Sequence, residues 1–306
     1  MPFPKLPPTA AYLRFGNPAK RNALSLAVLK DLRGQLERHL TSPVSGRVLL
    51  LPPFGPAALD SVRDGEYRWL VDAGEWRRER AGLPDVLVLR SEGPVFCSGH
   101  DLGELAGRDE LAAETLFGEC AAVLSLLRRS PAPVVCPVQG LATAAGFQLA
   151  MATDYPVALA STRFCLPGMR IGFPCVSPAV WASRRLPPAL VYRMFATGDS
   201  LPASDLAGAV DVVPVPDHAE AQDTAAAAFE DRVATVIRRL GVETAGQAQA
   251  FGKWAFWTQR AREGDGDPVD SAGWAGRVMA FQSGRLEDAR EGIAAFLEKR
   301  APSWRT

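Results

Sequence analysis

The sequence VLVLRSEGPVFCSGHDLGEL (86–105) contains a strand pattern, a tight turn and the start of a helix. Its first part, DVLVLRS (85–91), is a continuous apolar run, which is typical of a strand buried on both faces. The same order returns in PVVCPVQGLATAAGFQLAMATDYPVA (133–158), where a strand at 133–140 and a helix at 147–154 flank a turn of small residues. Two such units predict an α/β protein with buried parallel strands.

Outside these two segments the chain continues to alternate between strand and helix patterns. AYLRF (11–15) predicts a first strand, and leucines at helical spacing predict a helix from about Ser25 to His39. Residues 109–129 predict an amphipathic helix, and YPVALAS (155–161) predicts another strand. Beyond about residue 178 the pattern becomes mostly helical, so we expect a helical region after the strands.

Residues 41–82 interrupt this alternation. The segment is rich in proline, glycine and charged residues, with a helical patch around Tyr67–Arg80. We interpret it as an inserted surface segment, either a decorated loop or a functional lid, because long connections of this kind lie on the surface or carry function.

Composition excludes several classes of protein. The 306 residues are 47% apolar and 22% charged, as in an ordinary globular protein. The 34 basic side chains balance 34 acidic ones, so there is no excess of positive charge of the kind that would indicate nucleic-acid binding. Five cysteines without a C-x-x-C pair favour a reducing compartment, and no His/Cys spacing predicts a metal site. We expect no membrane span and no signal peptide. Nucleotide-binding glycine loops and the G-x-S-x-G elbow are also absent from the sequence.

Both turn segments resemble the crotonase, or enoyl-CoA hydratase/isomerase, family, in its F-x-x-G-x-D-L loop and its small-small-Gly turn. Further segments match the family in the same order, namely NPAKRNALS (17–25), TRFCLPGMRIGFPC (162–175), TGDSLPASDLAGAVDVVPV (197–215) and SGRLEDAREGIAAFLEKRAPSW (283–304). The resemblance leaves out 41–82 and about 216–282, and is closest to the enoyl-CoA-hydratase-domain subgroup with S-G-H-D-L and A-T-A-A-G-x-Q-L.

The resemblance implies a ClpP/crotonase-like spiral of ββα units with a C-terminal helical region. We therefore expect a spiral core over residues 1–197, carrying the inserted segment 41–82, and a helical region over 198–306. The family assembles as trimers or dimers of trimers, which implies a homotrimer or homohexamer. The subgroup implies a mitochondrial location, with the cytoplasm as the alternative.

The family binds acyl-CoA thioesters, so the resemblance implies coenzyme A as part of the substrate and no permanently bound cofactor. Two backbone N–H groups, of His100 and Ala145, would stabilise the negative oxygen of a thioester enolate. The second N–H lies at a predicted helix N-terminus, where unpaired donors and the positive dipole end coincide. The alternative is that both glycine turns simply connect strand to helix.

The resemblance also assigns contacts to the coenzyme. Lys20, Arg21 and Ala23 would lie near the pantetheine and phosphates, and Phe296 and Lys299 would reach a neighbouring subunit's nucleotide. Cys97, Ser98 and Asp101 of the first turn would shape the adenine side, with Asp101 holding its own loop, and the neighbouring Leu102 would also contact the coenzyme. For each cation the alternative is an ordinary solvated surface charge. The His100 imidazole either acts as acid or base, since it titrates near neutrality, or fills space at the pocket mouth.

The sequence departs from the family where hydratases carry two glutamates. One position holds Gln148, which cannot titrate, and the other holds Gly168. Other polar candidates are His100, Cys165, Cys175 and Glu119. The departures leave two functions open: a lyase- or isomerase-like enzyme of fatty acid and acyl-CoA metabolism with an unusual acid/base set, or a non-catalytic acyl-CoA binder or partner subunit. A serine peptidase using Ser98 has little support.

Overall fold

The strands form two sheets in a computed structural model that describes residues 3–55, 58–106, 109–215, 221–261, 276–279, 281–282 and 285–306. In chain order they are β1 (Ala10–Phe15), β2 (Val86–Ser91), β3 (Val134–Val138), β4 (Leu141–Thr143), β5 (Tyr155–Leu159), β6 (Arg163–Cys165), β7 (Ser200–Pro202) and β8 (Asp211–Val213). The larger sheet has the order β1-β2-β3-β5-β8, and each neighbouring pair is parallel.

The parallel sheet explains the apolar runs in the sequence. Every residue of β2 and of β3 is buried, as expected for central strands with both faces covered. The predicted strands at 11–15, 85–91, 133–140 and 155–161 are confirmed. In the smaller sheet, β6 pairs in parallel with β4 and antiparallel with β7. Both β7 and β8 lie in the stretch for which a mostly helical pattern was expected.

The helices follow the predicted pattern closely. They are α1 (Leu26–Leu40), α2 (Ala58–Asp64), α3 (Ala73–Glu79), α4 (Leu102–Leu105), α5 (Glu110–Arg129), α6 (Ala145–Ala152), α7 (Val176–Ala182), α8 (Pro188–Thr197), α9 (Ala221–Gly241), α10 (Gly246–Ala261) and α11 (Glu287–Glu298). Helix α6 begins two residues earlier than the predicted start at 147, directly after the turn of small residues. All eight of its residues are buried, so it runs through the interior.

The chain divides into two compact units. The first unit contains Met1–Arg38, Val86–Arg128 and Val134–Arg238, and it holds the larger sheet and both glycine turns. The second unit contains His39–Asp85, Arg129–Pro133 and Arg239–Thr306. The predicted boundary between 197 and 198 remains a prediction about the family's spiral.

The second unit has its own hydrophobic core, and residues 41–82 supply much of it. Buried apolar side chains from this segment, Leu49, Leu51, Val62, Trp69, Leu70, Val71 and Trp76, pack in one cluster with Ala250, Phe251 and Trp254 of α10. The rings of Trp69 and Trp76 stack with centroids 5.8 Å apart. The interpretation of 41–82 as a surface segment is therefore wrong, because its apolar side chains are buried inside this unit. A lid function remains a prediction.

Within the described ranges, no helix is long and apolar enough to cross a membrane. Among the same residues, no group of three or more His, Cys, Asp or Glu side chains is placed to hold a metal ion. The five cysteines are free thiols, and all of them are buried.

Candidate functional site

The first glycine turn, Cys97–Asp101, is held by backbone hydrogen bonds on both sides. On one side Leu24 N–H donates to the Gly99 carbonyl at 2.8 Å, and Asp101 N–H donates to the Leu24 carbonyl at 3.1 Å. On the other side the Thr143 N–H donates to the Cys97 carbonyl at 3.0 Å. The turn is thus fixed between the 21–24 loop and strand β4.

The second turn runs from the end of β4 into α6. Its central residue, Ala144, has φ 50° and ψ −118°, a conformation that a non-glycine residue adopts only under strain. Ala144 N–H donates to the Cys165 carbonyl of β6 at 3.0 Å, which anchors the turn. The strained residue reverses the chain so that α6 begins at Ala145, with the N-terminus of the helix at the turn.

The two turns are in direct contact. A Cβ atom on Gly99, whose φ is +93°, would lie 3.1 Å from the Cβ of Ala144 and 3.6 Å from the nitrogen of Ala145. A Cβ atom on Gly146 would lie 2.6 Å from both the Cβ and the carbonyl oxygen of Cys97. Glycine at both positions is therefore required for this approach, which brings residues 99–100 next to the start of α6.

Two backbone donors at this contact lack acceptors. In the part of the chain that the structure describes, neither the His100 N–H nor the Ala145 N–H makes a hydrogen bond. The Ala145 N–H is the first of the helix and has no acceptor within α6. Leu24 forms a parallel β-bridge with His100, and both hydrogen bonds of the bridge are made by the residues on either side of His100, Gly99 and Asp101. In this arrangement the N–H of His100 itself points away from Leu24. Two unpaired donors beside a helix N-terminus can bind an anionic oxygen.

The His100 ring lies against aromatic side chains. It contacts Phe117 of α5 edge to face, with ring centroids 5.0 Å apart. The ring centroid of Phe117 in turn lies 6.5 Å from that of Phe173. Its Nδ1 atom is buried without a hydrogen-bond partner in the described structure. Burial lowers the pKa of His100 from its ordinary value, while the Leu24 backbone and the Glu104 charge act in the opposite direction.

Gln148 is buried on α6 and anchored to α7. Its Nε2 donates to the Ser177 hydroxyl at 2.7 Å and to the Ser177 carbonyl at 3.2 Å. Its Oε1 is buried with no partner among the described residues. The amide fits this position because it donates to a carbonyl, which a carboxylate cannot do.

Gly168 leaves no space for a side chain. A Cβ atom there would lie 2.0 Å from the carbonyl oxygen of Phe173 and 2.9 Å from the backbone nitrogen of Cys175. The Phe173 N–H donates to the Gly168 carbonyl at 2.9 Å, which closes the loop over the residue. The second glutamate position has therefore lost both its carboxyl group and the space that the group would occupy.

Lys20 and Asp101 form an ion pair beside the first turn, with Nζ and Oδ2 2.7 Å apart. Asp101 also accepts from the N–H groups of Gly103 and Glu104, and so caps helix α4. Hydrogen bonding to Lys20 lowers the pKa of Asp101, and backbone donors add to the effect. Asp101 therefore holds its own loop, and any phosphate bound by Lys20 would have to share Lys20 with Asp101.

The structure brings most of the other predicted residues to the same place. Arg21 is exposed and Ala23 is part-buried, and the Arg21 carbonyl accepts from Ser98 N–H at 3.1 Å. Leu102 is half-exposed on α4. Cys97 is fully buried against Gly146, so it packs the two turns together and does not face a ligand.

Phe296 and Lys299 belong to the second unit. Phe296 is 83% exposed and lines an apolar groove together with Ile293 and Trp304. Lys299 ends α11 in a left-handed conformation, with φ 54°. Both residues lie at the surface of this unit, and their contact with a neighbouring subunit's nucleotide remains a prediction.

The remaining polar candidates have other partners or are inaccessible. Glu119 pairs with Arg33 at 3.2 Å. The Cys165 thiol contacts the Thr143 hydroxyl at 3.0 Å, and burial raises the pKa of the Cys165 and Cys175 thiols. Burial also raises the pKa of Cys97 to about 12. Protonated, buried thiols are inert, so these cysteines act as packing residues.

Sequence reasoning missed three residues at the site. Asn22, with φ 56°, is buried and donates to the carbonyls of Glu92 and Val95 at 2.6 and 2.7 Å, which ties the N-terminal loop to the segment between β2 and the first turn. Ser177 holds Gln148, and Phe117 packs on His100. For the first, the available sequence signal is an asparagine in the N-terminal loop, because Asn tolerates the left-handed conformation that tight turns need. The other two depend on contacts between distant segments.

Comparison with known proteins agrees with this architecture. Residues 82–249 match the family model described as enoyl-CoA hydratase/isomerase. Over 291 residues the chain is 31% identical to the Rattus norvegicus enoyl-CoA hydratase domain-containing protein 3, mitochondrial, and the match covers 94% of this chain and 79% of that protein.

Solved structures with the crotonase fold superimpose on almost the whole chain. An enoyl-CoA hydratase from Mycobacterium smegmatis aligns with TM-score 0.73 and 28% identity, covering 98% of this chain and 96% of that one. The human enoyl Coenzyme A hydratase domain-containing protein 3 aligns with TM-score 0.70 and 30% identity, covering 98% of each chain. By fold, by family match and by these similarities, the chain belongs to the enoyl-CoA hydratase/isomerase family and has the crotonase fold.

Proposed function

We propose that the chain binds an acyl-CoA thioester and holds its carbonyl oxygen between the backbone N–H groups of His100 and Ala145. The observation that carries this proposal is that two touching turns present these groups without acceptors. Negative charge that develops on the thioester oxygen, as in an enolate or a tetrahedral oxyanion, is stabilised by such donors. Each donor contributes about 3–4 kcal/mol to the transition state.

The coenzyme part of the substrate lies, in this proposal, along the exposed rim of the first turn. Lys20 and Arg21 face solvent there and supply positive charge for phosphates, while Ala23, Ser98 and Leu102 supply neutral contact surface. Coenzyme A enters as part of the substrate, so the chain needs no permanently bound cofactor. This activity places the protein in acyl-CoA or fatty acid metabolism, as a lyase or isomerase.

A second candidate function is a non-catalytic acyl-CoA binder or a partner subunit in a crotonase oligomer. It is favoured by the amide at Gln148 and by the closed backbone at Gly168, which remove the two groups that add water to an enoyl thioester. The two candidates share the binding site and differ only in turnover, so one experiment separates them.

The experiment incubates the purified protein with 2-enoyl-, malonyl-type and saturated acyl-CoA and follows products by mass. The test variant is Ala145→Pro, which removes the donor proton at the first helical position, where proline is tolerated. Turnover that this variant abolishes supports the first candidate. Turnover that the variant leaves unchanged contradicts the role of Ala145. A rise in melting temperature with acyl-CoA, without turnover, supports the binder.

Assembly and location are further parts of the proposal. We expect a homotrimer or homohexamer in which Phe296 and Lys299 reach a neighbour's nucleotide, since both lie on exposed surface of α11 or at its end. Sedimentation with and without acyl-CoA tests this. The mitochondrial names of the relatives favour a mitochondrial location, with the cytoplasm as the alternative.

A further inference from the structure

We propose that the imidazole of His100 is the proton acceptor of this site, and that it removes a proton from the carbon next to the carbonyl of a bound acyl-CoA thioester. The inference rests on the proposed function, because it needs the carbonyl oxygen to be held by the two N–H groups. It adds a base to a site that lacks both family glutamates, and it defines the substrate as a thioester with an α-hydrogen.

The position of the ring carries the first step of the inference. The donor N–H and the imidazole belong to one residue, so an oxygen held by His100 N–H lies beside the His100 side chain. Nδ1 is sealed inside the protein without a partner in the described structure, although the residue as a whole is only part-buried. The proposal therefore assigns the proton-accepting role to Nε2.

The surroundings of the ring favour its neutral form. Phe117 packs against it edge to face, and Phe173 lies beyond Phe117. Burial lowers the pKa of His100, which leaves the imidazole unprotonated at neutral pH and able to accept a proton.

Charged groups near the ring are few. Glu104 of α4 acts on His100 and raises its pKa against the effect of burial. Asp101 is paired with Lys20, and Glu119 of α5 is paired with Arg33. Glu104, which accepts from the Leu26 N–H at 2.9 Å, is the charge in the described structure that acts on the imidazole.

No other group at the two turns can take this role. Gln148 does not titrate, and its Nε2 is committed to Ser177. Gly168 has no room for a carboxylate, and the Cys97 thiol is fully buried with a pKa of about 12. Within the described residues of the turns, His100 is thus the titratable side chain that remains, because Asp101 is paired with Lys20 and the Cys97 thiol is fully buried.

The proposed step conserves atoms and charge. The α-proton moves to Nε2, and the electron pair of the C–H bond forms the carbon–carbon double bond of the enolate. The enolate oxygen accepts hydrogen bonds from His100 N–H and Ala145 N–H while the imidazolium holds the proton. The imidazolium proton exchanges with solvent, and return of a solvent-derived proton from Nε2 to the same carbon restores the thioester and the neutral imidazole. Solvent hydrogen thereby enters the α-position without any co-reactant.

The test is deuterium exchange. Butanoyl-CoA is incubated with the full chain in D2O, and incorporation at the α-carbon is followed by mass spectrometry. We expect incorporation with the wild type and a fall of roughly a hundredfold or more with His100→Gln, which keeps the backbone donor and removes the base. The matched control is His39→Gln, which lies at the end of α1 outside the site and should exchange like the wild type.

Binding is measured in parallel as the rise in melting temperature caused by butanoyl-CoA. If the wild type and His100→Gln both bind but the wild type does not exchange, the proton-acceptor role is wrong and the proposed function stands. If neither binds, the proposed function fails as well. Release of free coenzyme A without deuterium at carbon would mean that His100 activates water, which overturns the proposal.

The pH dependence gives an independent readout. Since the lowered pKa of His100 lies below its ordinary value of 6.5, the neutral form predominates from pH 7 upward. The exchange rate should be level between about pH 7 and 8 and should fall on the acid side, in the range where the imidazole becomes protonated. Residual exchange by His100→Gln should lack this acid limb. The same acid limb in both proteins would contradict the assignment.

Discussion

At the scale of single residues, Gly168 is a position at which neighbouring backbone excludes a side chain. We predict that Gly168→Ala lowers the free energy of unfolding by about 1–3 kcal/mol, because its Cβ would meet the Phe173 carbonyl oxygen at 2.0 Å. The control is Gly118→Ala on α5, where a Cβ has nothing within 4 Å and alanine favours the helix. Denaturant unfolding measures both, and equal stabilities would contradict the closed loop.

Gln148 gives a second prediction at this scale. In Gln148→Glu a carboxylate would replace the amide that donates to the Ser177 carbonyl, so we expect a loss of about 1–3 kcal/mol in the free energy of unfolding at neutral pH. Burial should raise the pKa of the new carboxyl group in the folded state.

The pH dependence of that variant has a defined sign. The folded state holds the extra proton to higher pH than the unfolded chain, so the destabilisation should be small below about pH 4.3 and grow as the pH rises. Ser177→Ala removes only the hydroxyl partner and should cost about 0.5–1.5 kcal/mol without this dependence. A pH-independent loss in Gln148→Glu would argue that the side chain is not buried in solution.

Residue types in the two turns were predictable, while their surroundings were not. The family pattern places an N–H donor at His100 and at Ala145, and the sequence alone identifies Gln148 and Gly168 as departures. The closure over Gly168 depends on how the chain from 169 to 175 turns back, which no local pattern encodes. For the same reason the unpaired Nδ1 of His100 could not be predicted.

At the scale of secondary structure, α4 is a single turn that depends on its cap. Asp101 accepts from the N–H groups of Gly103 and Glu104, so we predict that Asp101→Ala lowers the free energy of unfolding by about 1 kcal/mol. Asp101→Asn keeps an acceptor for these groups and loses the charge that faces Lys20, so it should be milder and less sensitive to salt. Urea unfolding at low and high salt checks both variants, and equal losses would assign the effect to charge.

Element boundaries followed from the sequence where the pattern was strong. The ends of the buried strand β2 and of the amphipathic helix α5 agree with the prediction to within one residue, and those of β3 to within two, because apolar runs and helical spacing are local signals. Helix α6 begins two residues earlier than expected, since Ala144 makes the turn in a strained conformation usually reserved for glycine. The burial of residues 41–82 is not predicted from the sequence, because their buried apolar side chains are few and are separated by proline, glycine and charged residues.

At the scale of the whole molecule, the second unit owes part of its stability to residues 41–82. We predict that Leu70→Ala lowers the free energy of unfolding by about 2–5 kcal/mol, since Leu70 is fully buried in that core. Val44→Ala in the same segment is the matched control, because Val44 is 58% exposed and should change stability by about 0.5 kcal/mol or less. Thermal or denaturant unfolding measures both, and similar small effects would support the interpretation of 41–82 as an inserted surface segment.

The bonding around the first turn has a consequence for spectroscopy. The amides of Leu24, Ser98 and Asp101 are hydrogen-bonded, whereas the His100 amide between them has no acceptor in the described structure. In a hydrogen–deuterium experiment on the free protein, His100 and Ala145 should therefore lose their amide signals early among slowly exchanging neighbours. A bound carbonyl oxygen would slow both together, so two backbone resonances could report occupancy of the site without any label on the ligand.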